Sequence, residues 1–150
     1  MISLRSFARL ARTASKTLAV LALAGAAFAQ EVPFRGKFNG TGFPEAAMSG
    51  TASHLGLFRG TGRIIPTGPS TFLGTWEWFA ANGDMLYGTL DGTFVREVSP
   101  GVFEYYETTT ILGGTGRFTG ASGTQVATGN TDLVNAVFDC RFDGTIVFAR

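Results

Sequence analysis

The chain is short of the residues from which most active sites are built. Its 150 residues contain one histidine, His54, and one cysteine, Cys140. A histidine-based metal cluster therefore cannot be assembled, and neither a metal nor another cofactor is expected. No intrachain disulfide can form, so packing must hold the fold even in an oxidising compartment. Lysine occurs only at Lys16 and Lys37. No basic patch with interleaved aromatics appears, so the electrostatic footprint of a nucleic-acid binder is missing. No apolar run approaches the roughly 20 residues that cross a bilayer as a helix, and a membrane-spanning mature protein is not expected.

The start of the chain differs from the rest. Arg5, Arg9, Arg12 and Lys16 occur there with no acidic residue, Leu18 to Ala26 is a short apolar run, and Ala27-Phe28-Ala29 places small residues where a signal peptidase reads. A signal peptide over residues 1–29 and one domain over residues 30–150 are the expectation, with a secreted or periplasmic destination. The Arg- and Ser-rich start also suits an organelle transit peptide, although the compact apolar run before Ala-x-Ala favours export. Removing the four basic residues of the leader from the chain's 12 leaves 8 against 11 acidic, a net charge of −3.

What is abundant is glycine, threonine and phenylalanine: 20, 17 and 12 of them after residue 29. That composition is poor in helix formers and rich in strand and turn formers. From Val102 to Leu112 the residues alternate, with Glu104 and Tyr106 on one face and Tyr105, Glu107, Thr109 and Ile111 on the other, the period-2 signature of a strand. Thr71 to Ala81 alternates likewise, with Phe72, Trp76 and Trp78 against Leu73, Glu77 and Phe79. Both of its faces are apolar, as in a strand buried inside by a core and covered outside by a partner subunit, or one that packs on a filled interior and exposes a few aromatics. Met48 to Phe58 reads as one long strand. Asn82-Gly83 marks a hairpin, expected as a type I′ turn with positive φ at both central residues. Further turns at Asp91-Gly92, Ser99-Pro100-Gly101, Gly129-Asn130 and Asp143-Gly144 recur at the strand spacing of sandwiches and barrels.

The stretch Gly-Gly-Thr-Gly-Arg-Phe-Thr-Gly-Ala-Ser-Gly, residues 113–123, resembles the glycine turn of the allene oxide cyclase and dirigent proteins. It is more similar still to a group of exported bacterial β-barrel proteins of calycin-like architecture. Gly-Thr-Ala-Ser-His-Leu-Gly, residues 50–56, and the neighbours of Asn82-Gly83 resemble further segments of that group. The resemblance implies an all-β fold, a single antiparallel up-and-down barrel of about eight strands after the signal peptide, and a homotrimer as in the cyclase and dirigent relatives. It carries over no catalytic residue. The cyclases' acid lies near the start of their barrel, and Glu31 and Glu45 here match no cyclase motif.

Candidate site residues follow from the alternation. Ala136, Phe138, Cys140 and Phe142 share an apolar face of the last strands, and with Ala52, His54 and Phe58 they are expected to line a barrel interior that either admits one small apolar ligand or is filled by its own side chains. Gly114-Thr115-Gly116 is not a nucleotide loop: the glycine spacing is one residue late and strand period follows it. Glu77, Glu104 and Glu107 are the carboxylates set in apolar strands, where burial would raise the pKa and allow general acid–base work. His54 and Cys140 make a weak nucleophile–base candidate. Asp84, Asp91, Asp139 and Asp143 read as turn or solvent-facing groups. With no assembled catalytic constellation in view, a non-enzymatic exported barrel that binds an apolar molecule or acts through its surface is favoured. An isomerase or cyclase working on an apolar, fatty-acid-derived substrate and a structural envelope protein are the alternatives. An acid beside an interior void would favour the enzyme.

Overall fold

The structure is a computed structural model and describes residues 29–150. The expected leader, except Ala29, lies outside the described residues. Eight strands follow in order: β1 (Glu31–Thr41), β2 (Glu45–Ala52), β3 (Gly56–Pro66), β4 (Thr71–Ala80), β5 (Met85–Ser99), β6 (Val102–Gly114), β7 (Ser122–Asp132) and β8 (Val137–Val147). Each pairs antiparallel with its sequence neighbour, and β8 pairs with β1, from Glu31 opposite Val147 to Thr41 opposite Val137. The expected all-β, up-and-down barrel of eight strands is therefore what the chain forms. Closure satisfies the edges that an open sheet would leave unpaired. No helix among the described residues is long and apolar enough to cross a membrane.

Alternation decides what the barrel contains. Along β4, Phe72, Gly74, Trp76, Trp78 and Ala80 are buried while the residues between them are exposed. The inward rings need space, and glycines on adjacent strands supply it. A Cβ on Gly36 would stand 2.5 Å from the Phe142 ring, one on Gly60 2.5 Å from Trp78, and one on Gly88 2.5 Å from Trp76. These inward glycines do not leave voids; rings lie over them. Trp78 is the centre of the packing, with its ring centroid 4.3 Å from Trp76, 4.8 Å from Phe58 and 5.2 Å from Phe142.

One end of the barrel is sealed by the glycine-rich stretch. Gly116–Phe118 forms a single 3-10 turn, not the start of a strand, and carries the fully buried Phe118 into the end of the core, its ring centroid 6.1 Å from that of Phe148. Gly116 has φ +57°, and a Cβ there would run into the Asp84 carboxylate. Arg117 lies 4.9 Å over the Phe118 ring, pairs with Asp84 at 3.6 Å and donates to the Leu55 carbonyl at 3.4 Å. The motif is thus a plug tied to two neighbouring turns.

Two local expectations are corrected. Met48 to Phe58 is not one strand but the hairpin β2–β3, turning through Ser53–His54–Leu55, with Ala52 opposite Gly56 and Gly50 opposite Phe58. A three-residue turn pairs residues of equal parity, and paired residues share a face, so the alternation passes through the turn unbroken and hides it. The Asn82-Gly83 hairpin exists, but only Gly83 has positive φ, +88°. Gly83 N–H donates to the Ala80 carbonyl and Ala80 N–H to that of Asp84, which is a type I turn closed by a glycine bulge instead of type I′.

Candidate functional site

The unsealed half of the barrel encloses a cavity of about 90 Å³. Its walls are Phe38, Met48, Ile64, Phe72, Trp76, Trp78, Leu90, Phe94, Phe138 and Phe142, and its mouth is flanked by Phe43 of the β1–β2 turn and Leu133 of the β7–β8 turn. Both mouth residues are exposed, at 51% and 44%. No lysine, arginine or histidine lines this cavity among the described residues.

Into this apolar wall β6 and β7 introduce three buried polar side chains. The inward face of β6 presents Tyr105, Glu107, Thr109 and Ile111, and that of β7 presents Gln125 and Ala127. Register sets Thr109 directly opposite Gln125 and Glu107 opposite Ala127. Directly opposed side chains have Cβ atoms about 5 Å apart, and a diagonal neighbour such as Glu107 to Gln125 lies within reach of long side chains. Glu107 is 7% exposed, Thr109 4% and Gln125 2%. The Thr109 hydroxyl and both amide atoms of Gln125 are buried without a hydrogen-bond partner among the described residues. Such groups are few in native proteins, because each costs about 1–3 kcal/mol.

Burial is what raises the Glu107 carboxyl from its usual value to about 7, so near neutral pH it is divided between acid and carboxylate. Its neighbours stay neutral. Burial pushes the Tyr105 phenol far up, helped by Cys140 and Glu107, and pushes the Cys140 thiol up as well. The Tyr105 hydroxyl donates to the Asp139 carbonyl at 2.7 Å. A protonated, buried thiol is not a nucleophile.

Of the residues expected at the site, Phe138 and Phe142 line the cavity. Cys140 is inward and buried, and Ala52 and Phe58 are packed in the core without lining the void. Two are elsewhere. Ala136 sits in the β7–β8 turn at φ +52°, ahead of β8, where Asp132 accepts from the backbone N–H groups of Val134 and Asn135. His54 is exposed in the β2–β3 turn at φ +64°, with its Nε2 3.0 Å from the Pro33 carbonyl. Both left-handed residues belong to turns, so neither continues the face that strand parity assigned to it. No His54–Cys140 pair is assembled. Of the three acids, Glu77 points outward from β4, and Glu104 is on the outside, 2.6 Å from Arg96. Only Glu107 reaches the interior. Among the described residues no group of three or more His, Cys, Asp and Glu is gathered in a way that could hold a metal ion.

Thr109, Gln125, Trp76 and Trp78 line the cavity but are not among the site residues that the sequence offers. The alternation Gly123, Gln125, Ala127 carried the signal for Gln125, but the turn before it obscured where β7 begins. Compared with family models, with curated proteins and with solved structures, the chain matches none.

Proposed function

We propose that this chain is an exported barrel that binds one small, mainly apolar molecule in its cavity. The observation that carries the reading is the cavity itself, walled by rings and open past Phe43 and Leu133 at one end. Its volume of about 90 Å³ is below the roughly 150 Å³ of an apolar void that takes up benzene. The ligand that suits it is a single ring or short chain whose remainder leaves through the mouth. Mostly apolar clefts with a few placed polar groups are the usual form of small-molecule sites. The leader-like composition of residues 1–29 and the resemblance to exported calycin-like barrels support the setting.

Trp76 and Trp78 are the only tryptophans and both line the cavity, so intrinsic fluorescence reports occupancy directly. Titration with a neutral ring compound such as toluene should change the emission with saturation. Replacing Ala127, inward and opposite Glu107, with Phe should abolish the response while the far-UV spectrum is retained. Overpacking typically costs about 1–3 kcal/mol, so Ala46→Leu near the mouth serves if Ala127→Phe does not fold. Absence of any saturable response in the wild-type protein would refute the binding reading and leave a surface or structural envelope role.

One observation favours a second reading, an isomerase or cyclase. Glu107 is an acid beside an interior void, with a pKa near 7 suited to proton transfer at neutral pH. A bound substrate held against one general acid in a dry pocket is the minimum such a reaction requires. Self-association is a further part of the proposal. Leu73 and Phe79 on the outer face of β4 are exposed on the single chain, and light scattering at micromolar concentration should find an oligomer, a trimer by the resemblance; a monomer alone would reject it.

A further inference from the structure

The binding reading leaves unexplained why an apolar pocket contains three buried polar side chains that could each be hydrophobic. Glu107, Thr109 and Gln125 come from two adjacent strands and converge on one wall of the cavity. Each is more than nine-tenths buried, and the Thr109 hydroxyl and the Gln125 amide find no partner among the described residues. A buried polar group left unpaired costs more than a well-packed apolar replacement. Such groups become favourable when something in the cavity completes their hydrogen bonds.

We propose that Glu107, Thr109 and Gln125 form a subsite that holds the uncharged hydrogen-bonding group of the ligand, a hydroxyl, carbonyl or amide, while the aromatic wall holds its apolar body. This rests on the binding reading and narrows it to a chemical class. The inventory of donors and acceptors fits. Gln125 offers two N–H donors and a carbonyl acceptor, Thr109 one donor and an acceptor, and the protonated Glu107 carboxyl one donor and an acceptor. A hydroxyl or amide can both give and receive among them. An anionic head group such as a carboxylate is disfavoured, because no lysine, arginine or histidine lines the cavity and an unpaired charge is costly to bury. A carboxylate placed against this wall is therefore disfavoured at neutral pH relative to an alcohol, ketone or amide of similar size.

The test uses the full mature chain and a set of ring compounds differing only in the head group: toluene, benzyl alcohol, acetophenone, benzamide, benzoate and benzylamine, titrated at pH 6.5 by tryptophan fluorescence and calorimetry. Benzyl alcohol, acetophenone and benzamide should bind about tenfold or more tightly than benzoate, and more tightly than toluene. In Gln125→Leu, a substitution of similar volume that removes two unpaired atoms, the order of toluene and benzamide should reverse. Equal affinity for toluene and the neutral polar compounds would overturn the subsite while leaving the binding reading in place, since the polar groups would then be satisfied by water alone. Tightest binding of benzylamine would overturn it in favour of a cation site built on ionised Glu107 and the rings. Failure of every compound to bind would reject both the subsite and the cavity as a binding site. The wild-type series decides the matter even if Gln125→Leu does not fold.

Discussion

Replacing Glu107 with glutamine should stabilise the protein at pH 8 and leave it nearly unchanged, or weaker, at pH 4. The carboxyl's folded-state pKa is raised from 4.5 to about 7, by burial. The sign follows from proton binding. Between these values the folded state keeps a proton that the unfolded chain has released, so this group's contribution to stability declines as pH rises from about 4.5 to 7 and is constant beyond. A shift of that size corresponds to about 3 kcal/mol, on the order of 10 °C in Tm for a domain of this length. The ionisable groups facing Glu107 are Tyr105 on its own strand and Cys140 on β8, both pushed up and neutral over this range. Neither masks the effect. The introduced amide carries its own buried polar atoms, a cost independent of pH, so the measurement that matters is the change with pH of the Tm difference between variant and wild type. A difference that stays flat from pH 4 to pH 8.5 would show that Glu107 is not held in a desolvated site.

Trp78→Ala should be the most damaging single truncation. The ring is 3% exposed, lies against Trp76, Phe58 and Phe142, and its indole N–H points at the Met48 sulfur at 3.3 Å. Removing such a ring from a close-packed core costs about 3–5 kcal/mol, transfer and cavity terms together, against a total stability of about 5–15 kcal/mol. Its neighbour Glu77 faces the other way, and Glu77→Ala should change stability by less than about 0.5 kcal/mol. Urea denaturation followed by far-UV circular dichroism measures both. Comparable losses at the two positions would contradict the in–out alternation of β4 and with it the placing of the cavity.

The period of two along the chain was enough to establish the all-β class, the hairpin at Asn82-Gly83 and the common face of Phe72, Trp76 and Trp78, because the alternation of side chains is local to each strand. It grouped Glu107 with Tyr105, Thr109 and Ile111 for the same reason. What it could not supply was which of two alternating faces lies inside. Glu104 shares its face with Tyr106 and Leu112, and Glu77 with Leu73 and Phe79, so hydrophobicity alone left three acids as candidates where closure of the barrel admits one. Turns whose length preserves parity were invisible for a related reason: Ser53–His54–Leu55 reverses the chain without disturbing the pattern, and His54 leaves the interior with it. The cavity and its polar wall belong wholly to tertiary structure. That Thr109 faces Gln125 is a matter of register between two strands, and that rings laid over Gly36, Gly60 and Gly88 still leave about 90 Å³ unfilled is the outcome of eight strands packing at once, a sum over long-range contacts that no local stretch of sequence contains.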